Sequence, residues 1–145
     1  MASLAIPIIE ALGGKKVLGK AANVEDLPNL LRGGLPYESL EYIAASYGLS
    51  QPDLALLLHR SMRSIQRWQQ TRAPLDIEVS NLLYRLVRTI VLARYVLGDY
   101  DKALAWLKKP NRALGGAIPL RMIDTDPGAQ LVEDVISRID YGGIS

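Results

Sequence analysis

Apolar residues recur along this chain at three- and four-residue intervals, and the alternation expected of a half-buried strand is nearly absent. Leu40, Ile43, Ala44 and Tyr47 fall on one helical face, with Pro36 suited to the first turn and Gly48 to a C′ residue. Ser50 then reads as an N-cap with Asp53 three residues on, and Leu54, Ala55, Leu57 and Leu58 supply the apolar side of a two-turn helix. His59-Arg60 breaks it. Ser61 is a second N-cap, with Ser64 where Glu or Gln would complete a capping box. Met62, Ile65 and Trp68 are expected to face inward, leaving Arg63, Ser64, Gln66 and Arg67 toward solvent or along the edge.

The strongest helical pattern covers 76–97, where Leu82, Leu83, Leu86, Ile90, Ala93 and Leu97 form a wide apolar stripe. Asn81, Arg85, Arg88 and Thr89 are expected on the opposite side, and Gly98 ends the helix. Asp99 caps a helix over 100–109, with Ala103, Leu104 and Leu107 inward and Pro110 as its stop. A Gly-rich loop fills 111–117, and 119–123 reads as one helical turn. Asp126 as N-cap and Pro127 at the first helical position open the last helix, whose apolar face is Leu131, Val132, Val135, Ile136 and Ile139.

The first 33 residues are less regular. The apolar stretch 4–12 reads as a short helix interrupted by Pro7, 13–20 as a loop, and 25–32 as a short helix stopped by Gly33-Gly34. The expectation is an all-α chain with an N-terminal segment at 1–33, a helix-turn-helix region at 34–75 and a helical domain with a C-terminal tail at 76–145.

Composition narrows the chemistry. With no cysteine and one histidine in 145 residues, disulfides, thiolate nucleophiles and thiolate or imidazole metal clusters are excluded. Apolar runs stop far short of the roughly 20 residues of a bilayer span. The start lacks a basic n-region and meets Glu10, so no signal peptide is read and a soluble, cytoplasmic protein is expected. Net charge is only +2 but uneven, because 60–73 carries Arg60, Arg63, Arg67 and Arg72 and no acid. A local basic block in a near-neutral chain points to one anionic surface as partner.

No enzyme is read here. The run 14–21 fits G-x-x-x-x-G-K, but Ala21 stands where Ser or Thr must hold magnesium, and no strand leads into it. His59 has no partner at a catalytic spacing. Asp99/Asp101 and Asp124/Asp126 sit at helix starts, where capping explains them. The arrangement at 50–69 meets the demands of a helix-turn-helix: a short first helix, a tight turn, and a second helix with an apolar back and polar front. Arg63 and Arg67 share a face and suit guanine O6/N7, while Arg60 and Arg72 flank the helix and suit phosphates. One departure is His59, at a turn often made by Gly. The competing reading is an exposed basic helix in an ordinary bundle.

The run from Ser50 to Trp68 is similar to the helix-turn-helix of Xre-type regulators, and Gly34-Leu35-Pro36 fits the lead-in to that domain. Further on, Ala103-Leu104-Ala105-Trp106-Leu107, Pro110-Asn111, Leu114-Gly115-Gly116, Pro119-Leu120, Gly128 with Val132, and Arg138-Ile139-Asp140-Tyr141-Gly142 resemble the C-terminal domain of the MbcA/ParS/Xre antitoxin family. The resemblance covers about residues 30–145. It implies an antitoxin of a type II toxin–antitoxin pair, whose partner is a RES-domain toxin that consumes NAD. It also implies a homodimer within a larger complex that represses its own operon by binding operator DNA. The fold then becomes an N-terminal helix-turn-helix domain followed by a small helical toxin-binding domain, with no cofactor. DNA-binding candidates are Arg60, Arg63, Ser64, Gln66, Arg67 and Arg72.

Toxin-binding candidates are Arg138, Tyr141, Gly142, Gly143, Ile144 and Ser145. The helix 129–140 would be a rigid base, Tyr141 an amphipathic anchor, and the two glycines a passage into a narrow cleft that Ile144, Ser145 and the terminal carboxylate fill. A frayed terminus competes with that plug. Two further readings stay open: a stand-alone Xre-like repressor whose C-terminal domain mediates self-association, and a structural adaptor without DNA contact.

Overall fold

The computed structural model describes residues 3–140, and all regular structure among them is helical apart from one isolated bridge, Asn111 to Ala117. The described chain forms α1 (Ala5–Ala11), α2 (Gly14–Leu18), α3 (Leu27–Gly33), α4 (Tyr37–Tyr47), α5 (Gln51–Leu58), α6 (Met62–Thr71), α7 (Ile77–Leu97), α8 (Tyr100–Leu107) and α9 (Asp126–Asp140). Short 3-10 turns occur at Gly19–Ala21, Val24–Asp26, Arg112–Leu114 and Pro119–Met122. The chain divides into two compact units, Met1–Val87 and Arg88–Ser145. That division falls inside α7, further along than the 75/76 boundary expected from the sequence.

In the first unit, Pro7 does not interrupt α1. It lies in the first turn, where a backbone N–H has no intrahelical acceptor, so its missing donor costs nothing. The expected loop at 13–20 is instead the short helix α2 followed by a 3-10 turn. Gly14 and Lys15 there line a shallow groove together with Glu10 and Glu25, and those carboxylates oppose a phosphate. Pro36 stands one residue earlier than expected, as the N-cap of α4. Tyr37, Leu40, Ile43 and Tyr47 of α4 are buried. The buried Ser39 hydroxyl donates to the Leu12 carbonyl over 2.8 Å, tying the N-terminal segment to α4.

A second tie fixes the entrance and exit of the helix-turn-helix. Leu35 N–H donates to the buried Ser80 Oγ over 2.8 Å, and Leu75 N–H donates to the Leu35 carbonyl over 2.9 Å. Gly34, at φ 95°, makes this approach possible, because a Cβ there would overlap the Leu75 carbonyl oxygen.

Helix α7 keeps its one-sided pattern with one exception. No residue from Val79 to Ala93 is exposed, and Thr89, expected outside, is fully buried. Asn81, Tyr84, Arg85 and Arg88 are the half-buried positions of that stretch and share one face, so the expected polar side is the less covered one, with Thr89 as the exception. In the second unit, Asp99 caps α8 as expected, its Oδ1 accepting from the Lys102 N–H at 2.8 Å. The cap of α9 is Thr125 rather than Asp126: its Oγ1 accepts from the Gly128 N–H at 3.1 Å. Val132, Val135 and Ile136 are buried, but Leu131, expected on that face, is 53% exposed.

Candidate nucleic-acid interface and toxin-binding domain

The helix-turn-helix is built from its caps. Ser50 Oγ accepts from the Asp53 N–H at 3.2 Å, and Asp53 returns the favour by accepting from the Ser50 N–H at 2.8 Å, a complete capping box. Leu54 and Leu58 of α5 and Ile65 of α6 are buried. His59 takes the left-handed conformation, φ 53° and ψ 44°, that Gly ordinarily supplies at such a turn. The turn geometry is therefore intact without the glycine. Ser61 caps α6, its Oγ accepting from the Ser64 N–H at 3.1 Å. Gln51 Nε2 donates to Gln69 Oε1 over 3.0 Å, joining the start of α5 to α6.

Helix α6 has a sharply divided surface. Ile65 is buried and Trp68 half-buried, while Arg63, Gln66, Arg67 and Gln70 are exposed. At 100° per residue these four lie within one sector of the helix. Met62, expected inward, is exposed. Ser64 is half-buried, and its hydroxyl oxygen accepts from the Ser61 hydroxyl at 3.1 Å. Gln70 was missing from the sequence-derived set. Its signal was present in the i, i+7 spacing from Arg63, which places both on one line of the helix.

The four arginines of the basic block do not share one environment. Arg60 Nη2 pairs with Asp76 Oδ2 at 3.2 Å and Glu78 Oε2 at 3.5 Å. Arg72 Nη2 pairs with Glu41 Oε1 at 2.8 Å and Glu38 Oε2 at 3.1 Å, and its Nη1 donates to Glu41 Oε2 over 3.3 Å. The Arg72 guanidinium also lies 5.0 Å from the Tyr37 ring centroid. The hydrogen bond to Glu41 holds Arg72 protonated above its usual range, and burial with the nearby Glu41 pushes the Tyr37 phenol up. Both flanking arginines, expected on phosphates, are thus engaged with carboxylates of their own unit. Arg63 and Arg67 enter no ion pair among the described residues and carry the unneutralised charge of the exposed face.

In the second unit, the loop after α8 is closed by backbone. Asn111 N–H donates to the Ala117 carbonyl over 2.9 Å, Gly116 N–H donates to the Asn111 carbonyl over 2.9 Å, and Asn111 Oδ1 accepts from the Ala113 N–H at 2.9 Å. Gly115 and Gly116 both have positive φ, 66° and 85°, which explains the glycine pair. Gly128 lies so close to the Met122 carbonyl oxygen that a Cβ would overlap it. Trp106 is half-buried. Arg138 is exposed in the last turn of α9, and Leu131, seven residues earlier, lies on the same side of that helix. The candidates Tyr141, Gly142, Gly143, Ile144 and Ser145 lie outside the described residues.

No helix among the described residues is long and apolar enough to cross a membrane, and no group of acidic or histidine side chains among them is arranged to hold a metal. Comparison with known proteins divides the chain much as the structure does. Residues 26–88 match the antitoxin Xre-like helix-turn-helix domain, and residues 92–142 match the antitoxin Xre/MbcA/ParS C-terminal toxin-binding domain. An antitoxin Xre of Photorhabdus laumondii is 32% identical over 117 residues, covering 80% of this chain and 79% of that protein. Proteins also called antitoxin Xre are 30% identical in Pseudomonas putida, over 56% of this chain and 51% of theirs, and 32% identical in Yersinia enterocolitica, over 57% of each.

Proposed function

The chain belongs to the Xre/MbcA/ParS antitoxin family, an antitoxin with a helix-turn-helix domain and a toxin-binding domain, and on that premise we propose the rest of its role. Its toxin is a RES-domain protein that consumes NAD. The antitoxin neutralises that toxin by contact, with no catalysis and no cofactor of its own, and it acts in the cytoplasm. As a homodimer within the larger toxin–antitoxin complex, it represses its own operon at an operator.

The observation that carries the reading is the pairing of the toxin-binding match over 92–142 with an exposed polar face on α6. Arg63 and Arg67 are the guanine readers or phosphate contacts of that face. Gln66 and Gln70 have the amide geometry to read adenine N6/N7. Ser64 lies at the edge, beside the N-terminus of α6, where its remaining donor and the helix dipole favour a phosphate. On the toxin side, the exposed Arg138 and Leu131 of α9 lead toward the end of the chain, where Tyr141, Gly142, Gly143, Ile144 and Ser145 enter the toxin's catalytic cleft.

Co-expression with a RES-domain product encoded beside its gene tests the reading directly. The two proteins should co-purify, and cellular NAD should stay at its normal level only while the antitoxin is present. A toxin that depletes NAD equally with and without this chain would overturn it. The stand-alone repressor remains the second reading, since exposed Leu131 also suits self-association; it is favoured if operator binding persists and no neighbouring product is retained.

A further inference from the structure

Arg72 occupies a position at which sequence reasoning expects a phosphate contact, yet its guanidinium faces the wrong chemistry for one. Two carboxylates lie within 3.1 Å of Nη2, and the Nη1 donor is turned to the same Glu41. The residue is also the C-cap of α6, in the left-handed conformation at φ 53°, with its N–H donating to the Trp68 carbonyl over 2.7 Å. Side chain and backbone of one residue therefore meet at the point where α6 ends. The side chain reaches α4, because Glu38 and Glu41 are neighbours at i, i+3 on that helix and Tyr37 beneath them is buried.

From this geometry we infer that Arg72 is a positioning residue for DNA recognition, clamping the C-terminal end of α6 onto α4 so that Arg63, Gln66, Arg67 and Gln70 are aimed as one face. The inference rests on the DNA-binding part of the proposed function and deepens it. Bidentate recognition of a base tolerates little misalignment. Ile65, the half-buried Trp68 and the Gln51–Gln69 hydrogen bond hold α6 along its length, and the Arg72 contacts add a constraint at its C-cap that resists rotation of the exposed face. An isolated surface ion pair contributes little, but here one guanidinium engages two carboxylates and an aromatic face at once. At the other end of α6, the Arg60 pair with Asp76 and Glu78 sits just before the N-cap, so both ends of the helix are tethered.

The two roles open to Arg72 make opposite demands on its partner. If Arg72 touched a phosphate, removing the nearby Glu41 charge would strengthen DNA binding. If Arg72 is a clamp, Glu41→Gln weakens it. The experiment measures binding of the full chain to a duplex carrying the sequence upstream of its own reading frame, and to a scrambled duplex, across a series of salt concentrations. Arg72→Gln and Glu41→Gln should each bind the upstream duplex less tightly by on the order of tenfold, the loss of about one base contact. Discrimination against the scrambled duplex should fall by the same factor, while the slope of log affinity against log salt stays that of the unmodified chain.

A mere loss of fold stability would leave discrimination by the folded fraction unchanged, so the ratio separates positioning from scaffolding. A slope shallower by about 0.9 in Arg72→Gln, the signature of one phosphate contact, would overturn the clamp. So would tighter binding by Glu41→Gln. Failure of the unmodified chain to prefer the upstream duplex overturns the DNA-binding reading itself, and the clamp with it.

Discussion

Arg88 and Glu133 meet through two parallel hydrogen bonds, Nε to Oε1 at 2.8 Å and Nη2 to Oε2 at 3.0 Å, joining α7 to α9 within the second unit. Both side chains are largely covered, with 29% and 19% of their area exposed. Asp126 adds a longer contact of 3.9 Å. This fork fixes the helix that carries Arg138. Replacing Glu133 by Gln removes the charge from both hydrogen bonds of the fork and is expected to cost about 1–2 kcal/mol. Urea unfolding followed by circular dichroism measures it. Toxin protection should weaken in parallel while affinity for operator DNA is kept; an unchanged unfolding midpoint would remove the fork from the account of stability.

Asp76 makes stability sensitive to acid. Burial pushes its carboxyl up, but the Val79 N–H at 2.8 Å and the Arg60 guanidinium outweigh that effect and hold it below its ordinary value of 3.8. A carboxyl whose pKa is lower in the folded than in the unfolded chain stabilises the fold fully above the ordinary value. That contribution is lost as pH falls from there through the depressed folded value. Asp76→Asn should therefore lower the unfolding midpoint at neutral pH and show a smaller further decline below about pH 4. Parallel pH profiles for the two proteins would contradict this assignment.

Arg63 and Arg67 carry the charge that faces outward from α6. With Arg60 and Arg72 held by carboxylates, one chain presents two such arginines rather than the four counted from the sequence. The log–log salt dependence per chain should then be about −1.8 if both meet phosphates, at about −0.9 each. Arg63→Ala combined with Arg67→Ala should abolish the operator gel shift at moderate salt and leave toxin neutralisation intact. A retained shift would assign recognition to another surface.

The end of the chain is tested by stopping it after Asp140. That truncation removes Tyr141, Gly142, Gly143, Ile144 and Ser145 while keeping α9 and the helix-turn-helix. Operator binding should persist, and cells carrying the toxin should lose their NAD. Full protection by the shortened chain would move neutralisation to the face of α9 that carries Leu131 and Arg138.

Local chemistry written in the sequence proved sufficient for the helices from α3 onward, for the caps of α5, α6 and α8, and for the class of the fold. Ser50 with Asp53, Ser61 and Asp99 act within a few residues of themselves, so their roles need no knowledge of the rest of the chain. The exposed face of α6 was legible for the same reason, since helical spacing alone groups Arg63, Gln66 and Arg67. Tertiary structure decided what depends on distant partners. It sent Arg72 to Glu38 and Glu41 and Arg60 to Asp76 and Glu78, residues far enough away in sequence that no spacing rule joins them. It buried Thr89, exposed Leu131 and moved the α9 cap to Thr125. Periodicity reports which residues share a face. Only packing determines what that face meets, and a charge's partner is set by three-dimensional distance.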